Sequence, residues 1–216
     1  GADTLLGGDD ADVINLTDGF GNDVIVGGEG GTDNDTLNLS GVTTDTTVDL
    51  TSNDPEAGTV TSGADTATFS EIENIALGGG HDTVVLADGS GSDTVSGFDL
   101  TDSGDGTTVD QLDVSDLTDA DGNPVNVFDV TVADTNGDGT GDAILQFPNG
   151  ESITLAGVSP SSVNNQAALM SMGIPGPDYI VEGTSGNDLI DGGYTGDPGG
   201  DMVDAGDNVL GNDDDS

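Results

Sequence analysis

Short apolar runs are spaced along the chain by turns rich in Gly and Asp, and most of the runs are only a few residues long. Gly7-Gly8-Asp9-Asp10-Ala11-Asp12-Val13-Ile14-Asn15 is one complete unit. The template is Gly-Gly-x-Gly-x-Asp-x-U-x, with U a large apolar residue. Gly1-Ala2-Asp3-Thr4-Leu5-Leu6 supplies its last six positions, and Asp18-Gly19-Phe20-Gly21-Asn22-Asp23-Val24-Ile25-Val26 fits except at its first Gly. Gly27-Gly28-Glu29-Gly30 opens another copy that Asp35-Thr36-Leu37-Asn38 closes after an interruption. Further copies end at Asp82-Thr83-Val84, Asp93-Thr94-Val95, Asp188-Leu189-Ile190 and Asp201-Met202-Val203. The spacing is irregular: Asp3 to Asp12 is nine residues, Asp12 to Asp23 eleven and Asp188 to Asp201 thirteen. Each copy reads as a Gly-rich turn followed by a short strand. Gly permits the positive φ that such turns need, and Leu5, Ile14, Ile25, Leu37, Val84, Val95, Ile190 and Val203 are expected to point inward, about one per turn.

Between the copies the pattern changes. Residues 46–50, 58–61 and 66–69 alternate as short strands with polar turns. Phe69-Ser70-Glu71-Ile72-Glu73-Asn74-Ile75 leads back to the repeat. Val127 to Val132 and Ala143 to Phe147 also alternate and predict strands. One helix is expected, with Ser159 as cap, Pro160 at its first position, Val163 to Met172 as its body and Gly173 as the stop. Val163, Ala167, Met170 and Ile174 would form its apolar stripe, covering the end of a β core. These elements give three regions: 1–97 with a β insertion at about 38–77, a β-rich closing unit at 98–175, and a restart of the repeat at 178–216. Both ends stop inside the repeat pattern, which reads as a piece of a longer protein.

Charge narrows the function. The 216 residues carry 43 acidic side chains, no Lys, no Arg and one His, for a formal charge of −43. Of the acids, 37 are Asp and 6 are Glu, a balance that suits turns and oxygen coordination rather than helices. Such a chain cannot grip nucleic-acid phosphate or an anionic membrane surface, and its natural partners are cations. High charge with little apolar core signals disorder unless cations neutralise the chain. With no Cys there is no disulfide, thiolate zinc site or Cys nucleophile. No segment reaches the roughly 18 apolar residues of a membrane span.

The phased Gly-Gly-x-Gly-x-Asp-x-U copies resemble the RTX family, the calcium-binding nonapeptide repeats of exported bacterial proteins. The resemblance covers roughly a third of the chain. It implies an all-β fold, a parallel β-roll with β-hairpin insertions and one short capping helix. It also implies several Ca²⁺ ions bridging turns two apart, so that Asp3 and Asp23 share one side and Asp12 and Asp35 the other. The ligand set it implies is Asp3, Asp12, Asp23, Asp35, Asp82, Asp93, Asp188 and Asp201. Asp45, in a Thr-rich stretch, lies outside every match.

A second kind of site is expected at Asp134-Thr135-Asn136-Gly137-Asp138-Gly139-Thr140-Gly141-Asp142, which fits the first nine positions of an EF-hand loop. Its ligands would be Asp134, Asn136, Asp138 and Asp142. The closing Glu is missing, since Leu145 stands there, and the flanks read as strands. No enzymatic activity is expected. His81 is the one general base of the usual kind and sits at a variable turn position. There is no Trp, and only Tyr179 and Tyr194, to stack on a sugar.

The expectation is therefore a calcium-binding structural or adhesive module of an exported protein, secreted or at the cell surface, which folds on binding Ca²⁺. Attachment to a cell surface, to a matrix or to itself would act through the parent protein. Two alternatives remain: an accessory β-roll supporting a catalytic or self-processing domain elsewhere in the parent, and a carbohydrate- or ice-binding surface. The last predicts a regular ladder of Thr or aromatic residues, and the Thr-rich stretches are irregular in sequence.

Overall fold

The computed structural model describes residues 1–120 and 122–177, with residues 181, 183, 186, 187, 189, 190 and 197 beyond them. Asp188 and Asp201 lie outside the described residues, as does most of the repeat restart at 178–216. The fold is all-β, built on two seven-stranded mixed sheets. In chain order the strands are β1 Thr4–Leu6, β2 Val13–Thr17, β3 Asn22–Val26, β4 Thr36–Gly41, β5 Thr47–Asp49, β6 Gly58–Ser62, β7 Asp65–Ser70, β8 Asn74–Ala76, β9 Thr83–Ala87, β10 Ser92–Ser96, β11 Gln111–Asp116, β12 Thr131–Asp134, β13 Ala143–Gln146 and β14 Ser152–Ala156. The first sheet runs β1-β3-β7-β6-β5-β9-β11 and the second β12-β13-β14-β10-β8-β4-β2.

Successive strands switch sheets from β1 to β4 and again from β7 to β11, and every such neighbour pair within a sheet is parallel. The antiparallel pairs are confined to β5-β6-β7 and β12-β13-β14. The stretch expected as an insertion at 38–77 thus supplies the middle of the first sheet, where β6 and β5 bridge β7 to β9. Likewise the sheets continue past residue 97. β11 extends the first sheet and β14 joins β10 in the second, so one apolar cluster runs through both regions.

Alternation along each strand builds the interior. Leu37 and Leu39 on β4, Val84 and Leu86 on β9, and Ile153 and Leu155 on β14 are all buried. Strands therefore give two inward side chains as a rule, more than the one per turn expected from the sequence. Ile14, Ile25, Leu37, Val84 and Val95 do point inward; Leu5 is half-buried at the edge, Ile190 is 46% exposed and Val203 lies outside the described residues.

The turns stack closely. Gly28 has φ +127°, and a Cβ there would run into the carbonyl oxygen of Gly8 one turn away in the same column. Asp10, which replaces the third Gly of its repeat, adopts φ +68°, a conformation Asp tolerates better than most residues.

Two expectations are corrected. The single helix is two, α1 Pro160–Val163 and α2 Gln166–Ser171. Asn165 breaks the run because its side chain accepts from the Ala168 N–H and caps α2. The break shifts the helical phase, so Leu169 and Met172 are buried while Met170 is 40% exposed and Ala167 is exposed. Gly173, at φ +101°, does end α2. The expected strand at 127–132 begins only at Thr131, because the Asn126 N–H donates to Asp129 Oδ2 and folds residues 127–129 into a turn.

Candidate metal centre

In the repeat, Asp stands two positions before the inward apolar residue. Side chains two apart on a strand share a face, so this spacing sends the carboxylate inward. Asp23, Asp35, Asp82 and Asp93 are accordingly 6, 0, 1 and 7% exposed. Asp3 is exposed and Asp12 half-buried, at the outer strands β1 and β2.

The carboxylates stack in columns. Asp3 N–H donates to Asp23 Oδ1 at 2.9 Å on one side, and Asp12 N–H to Asp35 Oδ1 at 2.7 Å on the other. The pairing of Asp3 with Asp23 and of Asp12 with Asp35 is the one the family resemblance implies. The second column continues: Asp35 N–H donates to Glu73 Oε2, and the register of β4, β8 and β10 places Asp93 next after Glu73. In the first sheet Thr46 N–H donates to Asp82 Oδ1 and Asp82 N–H to Asp110 Oδ1, each at 2.9 Å. Asp110 Oδ2 also accepts the Asp99 N–H, so both of its oxygens have partners.

Asp33, Asp35 and Glu73 bring one carboxylate oxygen each within 4.8 Å of one another. They form the one such group of three acidic side chains among the described residues. Asp35 Oδ2 and Glu73 Oε1 are buried and accept no hydrogen bond. Burial raises the Glu73 carboxyl above its ordinary value, opposed by the Asp35 N–H and reinforced by the charges of Asp33 and Asp35. Glu56 is raised too, by burial and then by Glu73, Glu29, Asp33 and Asp54.

The same deficit recurs along the stack. Asp82 Oδ2, Asp93 Oδ2, Glu151 Oε2 and Ser90 Oγ are buried without a hydrogen-bond partner. Burial pushes Asp93 up to about 7, and burial with the charge of Asp110 pushes Asp82 up to about 6. A buried carboxylate is costly unless a cation or donors satisfy it. With no Lys or Arg, the chain cannot supply that cation itself. The donors are all oxygens, the set that suits a hard cation such as Ca²⁺ rather than zinc or copper.

The EF-hand-like loop connects β12 to β13 and is organised differently. Asp134 accepts the backbone N–H groups of Asn136, Asp138 and Gly139. Its burial raises the carboxyl, but these amides and that of Gly137 outweigh it and hold Asp134 below the ordinary carboxylate range. Asp138 Oδ1 accepts from Thr140, Asn136 Nδ2 donates to Thr140 Oγ1, and Asp142 Oδ1 turns away to the Gly157 N–H. The acidic ligands expected there therefore serve as turn caps, and their oxygens do not converge.

Several acids that matter were not singled out from the sequence. Glu73-Asn74-Ile75, Asp110-Gln111-Leu112 and Glu151-Ser152-Ile153 share the acid-x-apolar spacing of the repeat without its glycines, which is the signal that finds them. Glu151 is 6% exposed and its Oε1 accepts the Gly89 N–H, so it closes the turn at 88–91. Asp33 sits in an interruption and carries no such signal. Asp45, outside every repeat match, accepts the His81 N–H at 2.9 Å and belongs to a stacked turn. No family model and no curated protein matches the chain.

Proposed function

We propose that this chain is a calcium-binding structural module of an exported protein, folded as a parallel β-roll of the RTX kind and assembled when Ca²⁺ enters its stacked turns. The observation that carries this reading is the Asp33–Asp35–Glu73 group, which brings one oxygen of each residue within 4.8 Å of the others and leaves Asp35 Oδ2 and Glu73 Oε1 buried without partners. The in-register columns extend the same chemistry to Asp23, Asp82 and Asp93, and Glu151 adds a buried carboxylate at the neighbouring turn. The formal charge of −43 with no basic residue opposes collapse until cations bind. Binding to the folded state alone stabilises by RT ln(1 + [L]/Kd) for each site, so several sites turn a metal-free unfolded chain into a folded one. Intracellular calcium is scarce and extracellular calcium plentiful, which would keep the chain unfolded before export.

Circular dichroism of metal-stripped chain at pH 7.5 tests the reading. The β signal should be weak without divalent cations, appear with millimolar Ca²⁺, and appear only partly with Mg²⁺, which prefers compact octahedral coordination and holds its waters. A full β spectrum after exhaustive stripping, or equal thermal stability in Mg²⁺ and Ca²⁺, would show that specific calcium sites are not what folds the chain.

A further inference from the structure

The outer face of the first sheet carries a threonine array that the linear sequence conceals. One row crosses six strands in register: Asn22, Thr66, Thr61, Thr47, Thr83 and Gln111. In the adjoining row Thr68 and Thr59 lie side by side, flanked by Val24 and Asp49. The residues between the rows, such as Ala67, Val60, Val48 and Val84, are buried, so alternation turns both rows outward. No register shift interrupts the pairs from β3 to β9.

Three properties set these threonines apart. Their hydroxyls make no hydrogen bond among the described residues, whereas Thr43, Thr44, Thr46 and Thr118 in the turns all use theirs. Their χ1 is stiff because Cβ is branched, so each presents a methyl and a hydroxyl in nearly the same way. The face is also almost uncharged: along these rows acids enter only at Asp49 and Asp113. In a chain with 43 acidic residues, these two rows hold only those two carboxylates, and Asp23 on β3 points inward.

The geometry favours one kind of partner. Neighbouring strands lie about 4.8 Å apart, and Thr-x-Thr pairs such as Thr59/Thr61 and Thr66/Thr68 are about 6.7 Å apart along the strand. Both intervals are close to the oxygen repeats on the prism face of hexagonal ice, so waters held by the rows can merge with that lattice. A polysaccharide partner would be expected to find aromatic rings to stack on, and these rows hold none. A protein partner would be expected to find aromatic or Arg anchors, and these are missing as well. We propose that the outer face of the first sheet binds ice. The face requires the folded sheets but no particular cation.

The test uses the full chain under whichever cation and pH give a confirmed β spectrum, so that its failure is separate from failure of the calcium reading. Ice growth in a nanolitre osmometer should show faceted crystals and a gap between melting and freezing temperatures. Thr61→Tyr, at the centre of the row, should abolish the gap. Thr94→Tyr, on the outward face of the second sheet, should leave it. If Thr61→Tyr loses its β spectrum, Thr83→Tyr in the same row replaces it with the same expectation. Rounded crystals from folded parent chain, a gap unaffected by the row variants, or partition onto crystalline chitin or cellulose instead of ice would each overturn the proposal.

Discussion

Asp93 provides a direct test of the buried-carboxylate reasoning, because burial alone raises its carboxyl from 3.8 to about 7. Asp82 is raised from 3.8 to about 6, by burial first and the charge of Asp110 second. In the unfolded chain both return to ordinary values, so between about pH 4 and 7 the folded chain binds more protons than the unfolded one. The stability of the cation-free fold must then fall as pH rises through that window. At about 1.4 kcal/mol per pK unit, ionising Asp93 penalises the fold by about 4 kcal/mol at pH 7.5 and about 2 kcal/mol at pH 5. With Asp82 included, acidifying from pH 7.5 to 5 should recover on the order of 4 kcal/mol. The assay is a metal-stripped titration followed by circular dichroism, with urea where the fold predominates and trimethylamine N-oxide where it does not. Asp93→Asn leaves a buried amide unpaired at about 1–3 kcal/mol but removes the ionisation penalty. It should therefore match or exceed the parent at pH 7.5 and lose more than half of the pH dependence. Asp116→Asn, exposed and without a side-chain hydrogen bond, should preserve that dependence. In saturating calcium the sign reverses, because protons then compete with the ion for the same oxygens. Equal pH dependence in the parent and Asp93→Asn, or a cation-free fold that gains stability with rising pH, would refute the reasoning.

Asp35→Asn removes a fully buried carboxylate charge from the acidic group and should raise the calcium midpoint for folding, while Asp116→Asn leaves it unchanged or lowers it slightly; calcium titrations of both by circular dichroism decide it. Gly28→Ala sets a Cβ against the Gly8 carbonyl and should destabilise the fold in saturating calcium by more than the roughly 1–3 kcal/mol of backbone strain, read as a lowered melting temperature. Gly19→Ala, at φ +78° with open space around its Cβ, should cost only the strain, and equal losses would show that turn stacking is not tight.

The repeat copies were legible because their signal is local: glycines for the turn, an acid, and an apolar residue two positions on. That was enough to place β1 to β4, β9 and β10, while the pairing of Asp3 with Asp23 and of Asp12 with Asp35 came from the family resemblance. What pairs with what outside the repeats was not legible, because register is a non-local property. Strands β5 to β7 were recognised one by one, yet nothing local says that they fill the gap between β3 and β9 in the first sheet. The threonines read as irregular in the sequence for the same reason, since Thr47, Thr61, Thr66 and Thr83 are regular only across strands. The EF-hand-like loop was legible as residue types but not in its local bonding, in which Asp134 and Asp142 accept nearby amides. The helix break at Asn165 was missed because a cap inside a helical pattern competes with the pattern itself.

The acid-x-apolar spacing also gives a physical reason for the cation dependence proposed above. Moving the acid by one residue along the strand would turn its carboxylate to the outer face, where water solvates it at no cost. Asp23, Asp35, Asp82, Asp93, Asp110 and Glu151 each keep the spacing of two and are each at least nine-tenths buried. One of the six, Asp110, satisfies both oxygens with backbone N–H groups and illustrates what a purely structural carboxylate looks like. Asp35, Asp82, Asp93 and Glu151 instead leave an oxygen buried and unpaired. A chain selected only for stability would gain by replacing those four with Asn, Thr or an apolar residue, as cores generally do. In a chain without a single Lys or Arg these carboxylates lack an internal counter-charge, and a hard divalent cation is the species whose charge and oxygen preference match the deficit, as the proposed function requires.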